Sequence, residues 1–126
     1  MATVRFDPQS YSLILDTVIE GKSIVHARMV LDTGATYVLL PWWVANGVGL
    51  SIDPKKLVQS TTVSMTESTP FTRIPKISVM GKTAQNVECM IKDLPSDSGV
   101  DGLLGLSFLK HFNLSLDFKK GILKME

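Results

Sequence analysis

The spacing of the apolar runs restricts the fold of this chain more than any other feature, because the runs are short and turn-forming residues separate them. Residues 11–19 alternate in polarity, and residues 23–31 return as a second strand after a turn at Glu20 and Gly21. Further strand-like runs cover residues 37–40, 57–66, 71–80, 85–91, 114–118 and 122–125. This pattern predicts an all-β fold.

Two segments depart from the strand pattern and predict short helices. Pro41 suits the first turn of a helix, because its missing N–H costs no hydrogen bond there, and Gly47 or Gly49 would end that helix. Residues 103–112 indicate a strand followed by a second short helix. Pro75 places its own run at a sheet edge or a bulge, since proline cannot donate to a strand ladder.

One stretch of sequence has an echo later in the chain. Ile19-Glu20-Gly21-Lys22 resembles Val79-Met80-Gly81-Lys82, and each is followed by a strand, a segment containing Asp and Gly, and a short helix. The echo favours a duplicated half-unit inside one domain. Chance recurrence of turn chemistry is the alternative, because the same turn residues recur in any all-β protein.

Length and composition narrow the classes of protein to consider. The 126 residues predict a single domain, 1–126, with roughly the first ten residues as a flexible arm. A net charge of +1 and the lack of a basic stripe predict no nucleic-acid partner, and no run is long and apolar enough to predict a membrane segment. The start of the chain has no signal-peptide layout. The compartment is therefore left open between the cytoplasm and, if a targeting segment was removed, the periplasm.

The cysteine and the two histidines are predicted to be structural. Cys89 lies in a strand-like run and reads as a small core hydrophobe. His26 falls in the middle of a strand and His111 near a helix end, so neither is placed as a catalytic base. There is no zinc motif and no glycine-rich phosphate loop, so the sequence predicts no metal and no cofactor.

The segment Leu31-Asp32-Thr33-Gly34 is the one that carries recognisable chemistry. An apolar strand ends at the Asp32 carboxylate, and Gly34 follows two residues later. The glycine lets the backbone turn tightly, and its N–H can approach the carboxylate without a side chain in the way. Two such carboxylates facing each other can share one proton, because like charges at close range cannot both ionise. The ionised one can activate water while the protonated one binds a carbonyl oxygen.

Only one triplet of this kind follows an apolar strand. Asp97-Ser98-Gly99 is a second candidate, but it lies in a polar loop and is interpreted as a turn. A chain of this length with one qualifying carboxylate predicts a homodimer, in which a two-fold axis brings in the second one.

The sequence resembles the retropepsin-like aspartic proteases, in particular their bacterial single-domain members. Leu31-Asp32-Thr33-Gly34-Ala35-Thr36 is similar to the active-site segment of that family, and Gly102-Leu103-Leu104-Gly105-Leu106-Ser107-Phe108-Leu109 to its second hallmark, over a match from about Tyr11 to Met125. The resemblance implies a closed β-barrel with a flap hairpin and one or two short helices. It implies Asp32 as the catalytic residue, with active-site support from Thr33, Gly34, Ala35, Thr36, Leu104 and Gly105.

The resemblance also implies a function. The chain would be an aspartic endopeptidase acting on extended peptide or protein substrates, with residues 57–80 as a flap that closes over them. The flap tip is predicted at Glu67-Ser68-Thr69-Pro70, and the substrate-binding residues of the flap are predicted to be Met65, Thr66, Glu67 and Ser68. The alternative is a module of the same fold that binds peptides or dimerises without turnover.

Overall fold

The computed structural model describes residues 2–61 and 66–126 and consists mainly of strands. The strands are β1 (Ala2–Arg5), β2 (Ile14–Glu20), β3 (Ile24–Leu31), β4 (Val38–Leu40), β5 (Leu57–Thr61), β6 (Thr66–Val79), β7 (Lys82–Ile91), β8 (Gly102–Leu104), β9 (Leu114–Asp117) and β10 (Ile122–Met125). The helices are α1 (Trp42–Val48) and α2 (Leu106–Leu109). Within these two described stretches, neither helix is long or apolar enough to cross a membrane.

Six strands form a closed barrel. Their order is β2-β3-β8-β4-β7-β6, and the ring closes because β6 also pairs antiparallel with β2, from Glu20↔Lys76 to Thr17↔Val79. Strand β5 extends the sheet as a hairpin on the first part of β6. The closed barrel, the hairpin and the two short helices confirm the predicted fold class.

The core is formed by inward-facing apolar side chains of the strands together with buried side chains of the two helices. The alternation of side chains along a strand sends every second residue inward, and these inward residues form one contiguous core. Fully buried members include Ile19, Met29, Leu40, Ile77, Leu104 and Phe108. Cys89 is buried among them, as predicted, and burial raises the pKa of its thiol to about 12.

A second, three-stranded sheet joins the two ends of the chain. Its order is β1-β10-β9, and β1 pairs antiparallel with β10 from Ala2↔Met125 to Arg5↔Ile122. Residues 2–5 of the predicted N-terminal arm therefore form a strand. Pairing with the opposite end of the chain satisfies the backbone groups of β1, and no local pattern reveals a partner so distant in sequence.

The strand pairing supports a repeated half-unit. Strand β3 runs parallel to β8 from Met29↔Gly102 to Leu31↔Leu104, and β7 runs parallel to β4 from Cys89↔Val38 to Ile91↔Leu40. Strands β4 and β8 meet at the single antiparallel pair Leu39↔Leu103. An approximate two-fold axis therefore passes between β4 and β8 and relates β3 to β7 and α1 to α2.

The hairpin of β5 and β6 differs from its prediction at the tip. Ser68 pairs with Gln59 and Pro70 with Leu57, so residues 67–70 lie within β6. The chain reversal predicted at these four residues was wrong. Strand β5 ends at Thr61 and β6 begins at Thr66, so the connection falls on residues 62–65, outside the described residues.

Candidate active site

Asp32 lies at the point where β3 leaves the barrel. Its backbone N–H donates to the Leu104 carbonyl oxygen (3.0 Å), which continues the parallel ladder between β3 and β8 by one residue. The chain then turns, and the Ala35 N–H donates to the Asp32 carbonyl oxygen (3.2 Å). The Gly34 N–H donates to Asp32 Oδ1 (2.9 Å). One carboxylate oxygen is thus oriented by the backbone.

The surroundings of the carboxylate are partly open. Asp32 is half-buried, whereas Thr33, Gly34 and Thr36 are exposed. A cavity of about 240 Å³ borders Asp32 and Thr33. Two exposed aromatic side chains, Tyr11 and Phe118, line its other side. The site therefore combines an accessible carboxylate with an uncovered apolar rim.

Gly105 lets a second backbone segment approach from behind. A Cβ on Gly105 would lie 2.3 Å from the Tyr37 carbonyl oxygen and 2.7 Å from that of Ala35. The Leu106 N–H donates to the Ala35 carbonyl oxygen (2.8 Å). Gly105 and the fully buried Leu104 therefore lie directly against the Asp32 segment.

Ser107 is a supporting residue that the sequence analysis did not single out. Its side chain is buried, and its Oγ accepts the Val38 N–H (2.9 Å) and donates to the Glu88 carbonyl oxygen (2.7 Å). Its own N–H donates to the Thr36 carbonyl oxygen (2.9 Å). Ser107 thus joins α2 to β4, to β7 and to the segment after Asp32. The sequence feature that could have indicated this role is a small polar residue among the apolar side chains of a short predicted helix.

The described residues predicted for the flap do not line the cavity beside Asp32. Thr66, Glu67 and Ser68 are in β6, and the Lys92 ammonium forms an ion pair with Glu67 Oε2. Glu67 and Ser68 line a separate cavity of about 360 Å³ together with Trp42. Met65, the fourth predicted flap residue, lies outside the described residues.

The remaining candidates, Asp97, His26 and His111, do not line the cavity beside Asp32. Asp97 is in an exposed turn in which the Ser98 N–H donates to the Pro95 carbonyl oxygen (3.0 Å) and Gly99 has a φ of 76°. His26 and His111 are both exposed. Among residues 2–61 and 66–126, no three His, Cys, Asp or Glu side chains converge as metal ligands would.

Comparisons with known proteins agree with this geometry. A family model described as "Aspartyl protease" matches residues 15–108, a span that runs from β2 into α2 and includes both Asp32 and Gly105. The crystal structure of a retropepsin-like aspartic protease from Rickettsia conorii has a TM-score of 0.67 to this chain at 20% sequence identity. That likeness covers 96% of this chain and 86% of the other, and it concerns the fold. No curated protein sequence matches the chain.

Proposed function

Because the chain belongs to the aspartyl protease family, we propose that it is an aspartic endopeptidase in which Asp32 of each of two copies supplies one catalytic carboxylate. The observation that carries the proposal is the placement of Asp32. It follows a barrel strand, one of its oxygens accepts the Gly34 N–H, and the side chain borders an open cavity. A carboxylate held in this way is oriented by the fold and still accessible to substrate.

A second copy is needed because one chain offers one suitable carboxylate. The two-fold axis inside the chain relates the end of β3 to the end of β7, where the Lys92 N–H donates to the Leu40 carbonyl oxygen (2.9 Å). Lys92 thus occupies the position equivalent to Asp32, so the second half-unit supplies no carboxylate there. Tyr11 and Phe118, fully and 65% exposed, give the rim of the site an apolar surface that a second copy would cover.

The reaction follows from two carboxyl groups that share one proton. The ionised carboxylate accepts a proton from water as the water oxygen attacks the peptide carbonyl carbon. The protonated carboxyl donates its proton to the carbonyl oxygen, so that a neutral diol forms. The first carboxyl then protonates the amide nitrogen, the C–N bond breaks, and the second carboxylate recovers its proton from a diol hydroxyl. The pair returns to its starting state with one proton.

The substrate would bind as an extended peptide. The hairpin of β5 and β6 presents strand backbone that can pair with an added strand, and such pairing recognises main chain rather than sequence. Apolar side chains are expected next to the scissile bond, because Asp32 is the one charged side chain among the described residues that line its cavity. Thr66, Glu67 and Ser68 are the described residues proposed to contact the peptide from the hairpin.

The test is digestion of a diverse peptide pool by the wild-type protein, by Asp32→Asn and by the matched control Asp97→Asn. We expect Asp32→Asn to abolish cleavage and to leave the dimer and its unfolding midpoint unchanged, because the amide keeps the shape but cannot accept the proton. The control should cleave like wild type. Binding of peptides without cleavage by the wild-type dimer would instead support the module without turnover, and a monomer in sedimentation would contradict the dyad.

A further inference from the structure

A cavity of about 620 Å³ lies at the base of the β5–β6 hairpin, and the proposed function makes no use of it. Three parts of the chain enclose it. They are the turn after β2, the segment that follows α1, and residues 71–75 of β6. The lining residues from the first two parts include Lys22, Leu50 and Ile52.

The cavity lies where one edge of β6 has no strand partner, while the other edge pairs with β7 from Phe71↔Met90 onward. Strand β5 pairs with β6 up to Pro70, and β2 pairs with it only from Lys76 onward. The Phe71 N–H donates to the Lys56 carbonyl oxygen (3.0 Å) and so points to the β5 side. Because alternate residues of a strand point the same way, the Arg73 N–H faces the gap. Pro75, the next residue with this orientation, has no N–H to offer.

The charge around the cavity is predominantly positive. Lys22, Lys56 and Arg73 line it, against the single carboxylate of Asp53, one oxygen of which accepts the Lys55 N–H (2.9 Å). In the described part of the chain, the ion pairs are made by other lysines, namely Lys76, Lys92 and Lys110. The three cations of the cavity therefore form no ion pair with a described residue, and Asp53 offsets at most one of their charges.

Two of these cations are held by their surroundings. The aliphatic stem of Lys22 lies over Gly49, where a Cβ would come within 3.1 Å of it. Arg73 Nη1 donates to the Asn86 carbonyl oxygen of β7 (3.3 Å), which orients the guanidinium, and its other N–H groups have no partner among the described residues. A partly fixed cation loses less rotamer freedom when it binds an anion than a free one does.

We propose that this cavity binds a small organic anion with an apolar body and a phosphate, sulfonate or carboxylate head. The head would be bound by Lys22, Lys56 and Arg73, with the Arg73 backbone N–H, which faces the gap, as a further donor. The body would lie against Phe71 and the other apolar side chains of the wall. The gap is closed by β5 at one end and by β2 at the other, so it accepts a compact ligand rather than a peptide strand.

Binding at this place would stabilise the base of the hairpin. Lys56 directly precedes β5, and its carbonyl oxygen accepts the Phe71 N–H, so a ligand on both residues bridges the two strands where the hairpin begins. The Phe71 ring also packs edge-on against Tyr37, with ring centroids 5.3 Å apart. The binding step does not rest on the proposed function, because it involves neither Asp32 nor a dimer.

The test uses anilinonaphthalene sulfonate, a fluorescent anion with an aromatic body, titrated into the full chain. We expect one site per chain and about tenfold weaker binding in the double variant Lys56→Gln/Arg73→Gln, because two charge-assisted contacts are lost. The matched control Lys82→Gln/Lys124→Gln loses the same charge away from the cavity and should bind within about twofold of wild type. The uncharged analogue N-phenylnaphthylamine should bind about tenfold more weakly than the sulfonate.

The location of the probe is tested on the wild-type protein by amide hydrogen exchange. We expect the sulfonate to slow exchange of the Phe71 amide, because a bound ligand closes the base of the hairpin. Equal affinity of the two double variants, equal affinity for the uncharged analogue, or protection confined to amides outside the cavity would each overturn the proposal. Because no substrate is present, these results are independent of whether the protein cleaves peptides.

Discussion

Replacing Gly105 with alanine tests whether close backbone contact supports the Asp32 segment. Gly105 has a φ of −91°, which any residue adopts, so the effect of the methyl group is steric. The new Cβ would lie 2.3 Å from the Tyr37 carbonyl oxygen, and the two segments must separate by about 1 Å to restore ordinary contact. That separation strains the hydrogen bond from Leu106 to the Ala35 carbonyl oxygen. We expect Gly105→Ala to lower the free energy of unfolding by about 3 kcal/mol.

The assay is urea unfolding at a fixed protein concentration, with Gly34→Ala as the matched control. A loss of about 3 kcal/mol corresponds to a fall in the urea midpoint of about 1–2 M at unchanged slope. In Gly34→Ala the nearest atom to the new Cβ is Asp32 Oδ1 at 3.2 Å, the end of a side chain that can move. This control should lose activity with little change in stability. A midpoint for Gly105→Ala within about 0.3 M of wild type would refute the steric argument.

Three further predictions address buried and active-site groups. Ser107→Ala should lower the free energy of unfolding, measured in urea, by about 2 kcal/mol, because the Val38 N–H and the Glu88 carbonyl oxygen each lose their hydrogen bond to the Ser107 hydroxyl. A loss below about 0.5 kcal/mol would contradict this reasoning. The Cys89 thiol has a pKa raised to about 12, so it should resist a thiol reagent at pH 8 until the protein unfolds. The free energy of unfolding should fall as the pH rises from 9 toward 12, because over this range only the unfolded thiol loses its proton. Ala35→Ser offers a hydroxyl to the outer oxygen of the Asp32 carboxylate. Because a hydrogen bond to this oxygen favours the ionised form, the variant should keep its kcat/KM to lower pH than wild type does. An unchanged acidic limb of the pH profile of kcat/KM would refute this.

Local sequence patterns were sufficient to predict most of the strands, the two short helices and the end of a strand at Asp32. The alternation over β2 and β3 and the turn between them are visible without any distant contact. Gly49, one of the two predicted ends of α1, has the left-handed conformation that ends a helix (φ 72°). Asp32 follows an apolar strand and precedes Gly34, so its position could also be predicted locally.

Other features depend on partners that the sequence does not identify. The run Glu67–Pro70 has the composition of a turn, yet it pairs with β5. Phe71 donates to Lys56, so the backbone groups of Pro70 face away from β5 and the proline removes no bond from that ladder. Strand β1 was missed because its partner lies at the other end of the chain. The role of Ser107 depends on three backbone groups brought together only by folding.

The repeated half-unit places Asp32 and Lys92 at equivalent positions, with the same backbone hydrogen bond but different side chains. Asp32 and Lys92 each donate a backbone N–H to the last residue of a short strand, Leu104 or Leu40, so the main chain is held in the same way at both. Their side chains differ completely: one is an open carboxylate, and the other is an ammonium that anchors the hairpin strand through Glu67. Since the backbone bonds do not depend on either side chain, each position is free to diverge. The repeated pairing thus places an accessible carboxylate at one position and, at the other, a side chain that attaches the hairpin strand.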